Sequence, residues 1–385
     1  MYFGYRQNLS PRKCAVSLQA KGLSFITMGL RGYFYNLATD KEKGRVAGIF
    51  NIFLLILSFV YSQGLRFLIF FYSLRACRLS CKVVSVGNIT LGGTGKTPLV
   101  ELIARYLKQQ GHKAAILTRG YKIRAGDRRH ETGDREPIGD EPRMLSKNLG
   151  DIPVIVDADR IRGADKAIRE YGADAVILDD GFQQWKIKKD LEIVVISAVN
   201  PFGNRHMLPR GILREPLSSL KRADCFVLTK TDFSPKVQAL KASLGLINPR
   251  AQIVESIHSP VGLYPFNQPD ALLGADTLKG KTIALMCGIA DPDSFEGTLK
   301  RLSVNIGLSF RFPDHYPYQE RDIEEICGKS RDRNIEIVVT TEKDASRIPR
   351  LALPEGPRIF VLKIQLRITS NEKEFINRIL RIYPG

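Results

Sequence analysis

One passage limits the possible folds of this chain more than any other. Lys82–Gly87 (KVVSVG) is an apolar, β-branched run of the kind that forms a buried strand. It leads into Asn88-Ile-Thr-Leu-Gly-Gly-Thr-Gly-Lys-Thr97, after which Leu99, Val100, Ile103 and Leu107 recur at helical spacing. Strand, Gly-rich loop, Gly-Lys-Thr and helix make the phosphate-binding P-loop arrangement. Gly92, Gly93 and Gly95 let backbone N–H groups approach phosphate oxygens, Lys96 brings a point charge to the β/γ-phosphates, and the Thr97 hydroxyl can ligate Mg²⁺. Pro98 suits a first helical turn, where its missing N–H costs nothing. The expected nucleotide-binding stretch is Leu91, Gly92, Gly93, Thr94, Gly95, Lys96 and Thr97. The usual GxxxxGK[ST] spacing places Gly at position 90, where this chain has Thr90.

A second apolar run, AVIL from Ala175, ends in Asp179 and Asp180. Acids at the carboxyl end of a strand are where open α/β sheets bind ligands, so Asp179 is a candidate Walker B metal acid. Strand-like runs recur at 114–118, 154–156, 193–196, 226–229, 283–286, 337–340 and 359–362, with helix-length segments between many of them. That alternation predicts an α/β fold: a P-loop NTPase-like, largely parallel sheet with helices on both faces. The Pro-rich stretch near 260–269 is the candidate linker. It divides a P-loop domain at 81–258 from a smaller C-terminal α/β domain at 259–385.

Lys and Arg number 58 against 40 Asp and Glu, a net charge of +18, so an acidic partner is expected: nucleic acid, an anionic membrane or a phosphorylated substrate. No nucleic-acid module or interleaved aromatic–basic run is present, so nucleic acid is not the expected partner. The 6 Cys residues form no CxxC pair, which supports neither a zinc site nor a disulfide scaffold. Val46–Leu65 contains no charged residue, and LIFFY follows Arg66. Phe, Ile and Leu occupy all faces of this helix, which favours a membrane-associated segment at 46–80 over a core helix. Residues 1–45, a basic extension with no legible motif, carry a net +6 and belong on the cytoplasmic side. A single span would then export the P-loop. The expectation is therefore a helical segment lying in or dipping into the inner leaflet, its basic flanks on anionic headgroups.

Several strings in order resemble one family. They are VGNITLGGTGKTP, LTRGY (Leu117–Tyr121), GDEP (Gly139–Pro142), DDGFQ (Asp179–Gln183), NPFG…LPRGILREPLSSLKRAD (Asn200–Asp224), FPDHYPY (Phe312–Tyr318) and TTEKD (Thr340–Asp344). Together they are similar to the tetraacyldisaccharide 4′-kinases, the lipid A 4′-kinases, whose pattern includes the deviant P-loop. The resemblance implies an ATP- and Mg²⁺-dependent enzyme on the cytoplasmic face of the inner membrane. It would phosphorylate the 4′-hydroxyl of a lipid A disaccharide precursor that already bears a 1-phosphate. Residue by residue, it implies phosphate binding by Lys96, metal binding by Thr97, Asp179 and Glu215, a catalytic base in Asp140 and a supporting His315. Glu141 and Asp180 match further family acids. Gln184, Lys122 and Arg205 depart from the pattern, at places where His, Gly and a Gly-containing turn are usual.

Two other readings compete. Leu228-Thr-Lys-Thr-Asp232 resembles the guanine-reading [NT]KxD string of P-loop GTPases, although Thr replaces the usual Asn. A membrane-bound nucleotide sensor would keep Lys96 and Thr97 but have no use for Asp140 or His315. Taken without the family strings, Asp140 reads as a helix N-cap and His315 as a turn residue beside Pro313 and Pro317.

Overall fold

The structure is a computed structural model that describes residues 45–119, 139–349 and 356–383. Most of the basic extension, and Lys122 with the end of the LTRGY string, lie outside the described residues. The chain begins with α1 (Arg45–Leu74), β1 (Lys82–Gly87), α2 (Lys96–Gln109), β2 (Ala114–Thr118), α3 (Asp140–Leu149), β3 (Val154–Val156), α4 (Arg160–Tyr171) and β4 (Ala175–Asp179). It continues through β5 (Leu191–Ser197), β6 (Cys225–Thr229), α5 (Val237–Ile247), β7 (Gln252–Pro265), β8 (Thr282–Cys287), α6 (Pro292–Arg301) and β9 (Asn305–Arg311). The last elements are α7 (Glu320–Arg331), β10 (Ile337–Thr341), α8 (Glu342–Ala345), β11 (Arg358–Ser370) and α9 (Glu372–Leu380). Each apolar run read as a strand lies within one of these strands.

All the strands share one sheet, ordered β3-β2-β4-β1-β5-β6-β7-β11-β10-β8-β9. Neighbours are parallel except β7 and β11, which pair antiparallel. This corrects the expected linker, because residues 260–265 belong to β7. Their backbone is engaged by β11, with Pro260 opposite Ile364 where the register shifts, a place where a missing N–H is tolerated. The expected division at 258/259 falls inside this strand.

The register of β7 explains where a site can form. β6 pairs with β7 only as far as Glu255, whereas β10 pairs with the stretch of β11 that lies opposite Leu263–Pro265. The C-terminal strands thus sit beyond the carboxyl edge of the P-loop strands, and the antiparallel β7/β11 pair turns them back. The carboxyl edges of the two parallel halves face each other across a cleft bridged by this ribbon.

Both faces of the sheet are covered, as parallel strands require. Leu99, Ile103 and Leu107 of α2, Leu145 and Leu149 of α3, and Phe375 and Ile379 of α9 pack on one face of β1, β4 and β5. Phe182, Leu220, Leu240 and Leu244 pack on the other with Val194, Ile196 and Phe226. Burying Leu99, Ile103 and Leu107 completely stabilises by about 1.5–3 kcal/mol each, and this fixes the axis of the helix that opens with Lys96 and Thr97. In the C-terminal half, Phe295 and Leu299 of α6 and Ile323, Ile326 and Cys327 of α7 cover opposite faces.

Helix α1 is different. Among its described side chains only Leu54, Ser58, Ser62 and Leu65, a stripe at helical spacing, are buried against the body. Ile49, Ile52, Phe53, Ile56, Phe59, Phe67, Phe70 and Leu74 are exposed. By length and composition, Gly48–Leu74 is able to cross a membrane, with a mean hydropathy of 1.9.

Candidate active site

β1 ends at Gly87, where a Cβ would lie 2.4 Å from the backbone nitrogen of Phe182, so only glycine lets the strand meet the Asp-Asp-Gly-Phe turn. Beyond it the loop is braced on both sides. Leu91 N–H donates to the Ile212 carbonyl (2.8 Å), Arg214 N–H to the Ile89 carbonyl (2.7 Å), and the Thr229 hydroxyl to the Thr94 carbonyl (2.8 Å). Thr90 forms an antiparallel bridge with Leu213 and has no positive φ, which is why glycine is dispensable there. Gly95 caps α2 in the left-handed region at φ 86°, beside His258. Lys96 Nζ donates to Asn88 Oδ1 (3.1 Å) and lies 3.4 Å from Asp180.

The two adjacent acids face opposite environments. Burial, then the negative charges of Glu141 and Asp180, push the Asp179 carboxyl up to about 7, against the pull of Lys96 and Arg160. Asp180, in the left-handed region at φ 56°, accepts from Arg214 Nη1 (2.9 Å) and Nη2 (2.8 Å). Its burial is outweighed by these bonds and by Lys96, so its carboxyl is held well below the usual range. Arg214 also donates to both oxygens of Asn88, so one guanidinium fixes the acid and the residue that holds Lys96.

Glu215 is completely buried among donors: Gln183 Nε2 (3.0 Å), Trp185 Nε1 (3.2 Å) and Arg222 Nη2 (2.8 Å). Its carboxylate is engaged on both oxygens by this cluster.

The GDEP string opens α3, as a helix start should. The cap position, however, is Gly139, and Asp140 and Glu141 fill the first turn. Both acids cross the cleft. Asp140 Oδ2 accepts from Arg347 Nε (2.7 Å), and Glu141 Oε1 pairs with Lys343 Nζ (2.7 Å). Burial raises the Glu141 carboxyl, but Lys343 overrides it and the net shift is downward. His315 sits in a left-handed turn at φ 62° after β9, its Nδ1 3.0 Å from Arg347 Nη2. A guanidinium and an ammonium can only donate, so Arg347 at Nδ1 and Lys343 Nζ, 3.5 Å from Nε2, compete for the one lone pair of the neutral ring. Burial, with Lys343 and Arg347, lowers the His315 pKa. Arg347 thus stands between Asp140 and His315 and links them. Its side chain is 4 % exposed, and it also donates to the Gly288 carbonyl (3.1 Å).

Asn88, Arg214, Lys343 and Arg347 escaped the reading of the sequence. All but Arg347 lie inside the family strings quoted above, so membership in a string was the available signal. Asp232, the acid of the guanine-reading string, pairs with Arg301 of α6 and is already engaged. Arg205 adopts φ 64°, the conformation that a glycine-containing turn serves more cheaply.

The residues suit ATP and Mg²⁺. The loop presents a glycine-lined cradle, Thr94 Oγ1 is buried with no hydrogen-bond partner among the described residues, and Thr97 and Asp179 are hard oxygen donors. Mg²⁺ typically needs only one or two protein ligands besides phosphate oxygens and water.

Comparison with known proteins gives a consistent answer. The family model of tetraacyldisaccharide-1-P 4′-kinase matches residues 50–383. Tetraacyldisaccharide 4′-kinase of Halothermothrix orenii is 34% identical over 376 residues, which span 91% of this chain and 98% of that one. The enzyme of the same name from Anaeromyxobacter dehalogenans is 37% identical over 319 residues, 80% of this chain and 82% of its own. Among solved structures, the "apo" form of LpxK from Aquifex aeolicus in complex with ATP superposes with a TM-score of 0.69 at 28% identity, covering 87% of this chain and all of that one. With its P-loop, its paired acids and matches of this length, the chain belongs to the tetraacyldisaccharide-1-phosphate 4′-kinase family.

Proposed function

We propose that this chain transfers the γ-phosphoryl group of ATP to the 4′-hydroxyl of a tetraacyldisaccharide 1-phosphate in the cleft between the two carboxyl edges. The observation that carries the reading is the placement of Asp140. It opens α3 on the P-loop half and is bonded across the cleft to Arg347, which also holds His315. On this reading residues 81–258 hold the nucleotide, and residues 259–385 supply the groups that orient the base.

Phosphoryl transfer demands in-line positioning and charge stabilisation more than covalent chemistry. Lys96 and the amides of the Gly92–Gly95 loop bind the phosphates, and Thr97 and Asp179 would hold Mg²⁺. Bound there, the metal ion supplies charge neutralisation at the β- and γ-phosphoryl oxygens. Arg214 keeps Asp180 ionised and, through Asn88, aims Lys96. Asp140 accepts the proton of the attacking 4′-hydroxyl as the new P–O bond forms and the bond to the ADP oxygen breaks. Arg347 fixes the direction of that carboxylate, and His315 supports it from the other side of the guanidinium.

The acceptor is a lipid, and α1 is the element suited to reach it. Its exposed apolar face lies in the cytoplasmic leaflet of the inner membrane of a Gram-negative cell, with the basic surface against anionic headgroups. Incubating the purified protein with γ-labelled ATP, Mg²⁺ and the 1-phosphorylated tetraacyl disaccharide should yield a labelled lipid on thin-layer separation. Label released only as inorganic phosphate would overturn the reading.

A further inference from the structure

Helix α1 is apolar along nearly its whole length, yet two of its hydroxyl groups, those of Ser58 and Tyr61, bond the backbone of the protein body. Ser58 is 5 % exposed, whereas its neighbour Phe59 is 65 % exposed. The single Ser58 Oγ proton is shared between the Met207 carbonyl (2.8 Å) and the Leu54 carbonyl (2.9 Å), and Oγ accepts from the Arg210 N–H (2.9 Å). One turn on, Tyr61 Oη donates to the Arg214 carbonyl (3.1 Å). Both hydroxyls therefore grip the backbone of the same short segment, residues 207–214.

That segment is not a peripheral loop. Its last residues lie antiparallel to the first part of the phosphate loop, through Leu91 N–H to the Ile212 carbonyl, Thr90 against Leu213, and Arg214 N–H to the Ile89 carbonyl. The Arg214 side chain then reaches Asp180 and Asn88, and Asn88 holds Lys96. A continuous chain of hydrogen bonds thus runs from the lipid-facing helix, through one layer of backbone, to the residues around the phosphates. An apolar helix seated in lipid has no need of these hydroxyls for its own stability. Their partners are backbone groups whose placement sets Arg214.

We propose that Ser58 and Tyr61 are positioning residues, which register the 207–214 segment, and with it Arg214 and the phosphate loop, against the membrane-seated helix. The proposal rests on the functional reading above. It adds that the seat of α1 in lipid and the geometry of the donor site are mechanically one unit.

The test compares the wild type with Ser58→Ala, Tyr61→Phe and the double variant, as full-length protein. Three quantities are read: turnover of the lipid acceptor, dissociation of a fluorescent ATP analogue, and flotation with phosphatidylglycerol/phosphatidylethanolamine vesicles. The double variant should lose about tenfold in kcat, the size expected when one well-placed interaction is lost from the transition state. Dissociation of the ATP analogue should accelerate about threefold or more, the direction expected when a nucleotide clamp loosens. Flotation should match the wild type, because no apolar surface is removed. Ser58→Thr, which keeps the hydroxyl, should restore turnover, and Ser62→Ala, on the same buried stripe, should leave it unchanged.

Wild-type kcat and wild-type nucleotide dissociation in the double variant would overturn the proposal. So would a loss of flotation in step with kcat, which would make the hydroxyls part of helix seating alone. Nucleotide dissociation is measured whatever the acceptor, so it decides the question even if the wild type fails to phosphorylate the lipid, the outcome that sinks the functional reading instead. Should the double variant not fold, Tyr61→Phe, which removes a single oxygen at the protein surface, carries the same comparison.

Discussion

The two edges of the cleft are built on different principles. On the P-loop edge, the charged groups are held by their own half of the sheet. Lys96 bonds Asn88 eight residues away, Asp180 is clamped by Arg214, and the loop is hydrogen-bonded to 212–214 and Thr229. On the C-terminal edge, the groups that matter are arranged by reaching across. Arg347 bonds Asp140, Lys343 bonds Glu141, Asp291 bonds Lys230 and Arg301 bonds Asp232. The donor site is therefore complete within one half. Asp140, the proposed base, is oriented only when both halves are in place, as expected where closure assembles a catalytic site. Buried members of such cross-cleft pairs are costly to orphan, and exposed ones contribute little.

That contrast can be broken at either edge. Lys96→Ala should have the largest effect, on the order of 10²-fold or more in kcat, because it removes charge stabilisation from the phosphates themselves. Near-normal turnover in a steady-state assay would remove the P-loop edge from the chemistry.

Arg347→Ala should come next, with kcat lowered by roughly tenfold to a hundredfold and the KM for ATP little changed, since Arg347 touches no part of the phosphate loop. Arg347→Lys should recover little of this, because three donors on one nitrogen do not reproduce the fork by which Nε, Nη1 and Nη2 reach Asp140, the Gly288 carbonyl and His315. A rise in the KM for ATP equal to the fall in kcat would show that the two edges are not separable.

The ribbon between the edges offers a pH test. Burial and the Lys230 charge depress the His258 pKa to about 4, against about 6.5 when unfolded. The folded protein therefore binds fewer protons than the unfolded chain below pH 6.5. The stability due to neutral His258 is fully present above that value and is lost as pH falls toward 4. His258→Gln should flatten the fall in Tm over this window, by the equivalent of about 3 kcal/mol at most. An unchanged acid slope would place the sensitive group elsewhere.

The smallest effect should come from Arg301→Ala. Its pairing with Asp232 is partly exposed, so urea unfolding should register a loss of about 0.2–1 kcal/mol, shrinking with salt. A loss several times larger would mean that the outer cross-cleft pairs also hold the halves together.

The P-loop edge was legible in the sequence almost residue by residue. Its code is local: a β-branched run, glycines where the backbone must turn or approach closely, and a helical stripe at Leu99, Ile103 and Leu107. These patterns act over a few residues, so they survive in one dimension, and the strand spans followed for the same reason. What the tertiary structure decided was the company each side chain keeps. Asp179 and Asp180 are the same residue type in adjacent positions, yet burial drives one carboxyl up and Arg214 drives the other down. The Pro-rich stretch 260–269 suggested a linker, but pairing with β11 made residues 260–265 a strand. Glu215 and Trp185 close around each other through contacts that no spacing announces, and Arg347 meets Asp140 across more than two hundred residues of chain. A carboxylate's protonation and an arginine's role depend on dielectric and on charges within a few ångströms. Those neighbours are fixed only when the β7/β11 ribbon brings the two carboxyl edges face to face.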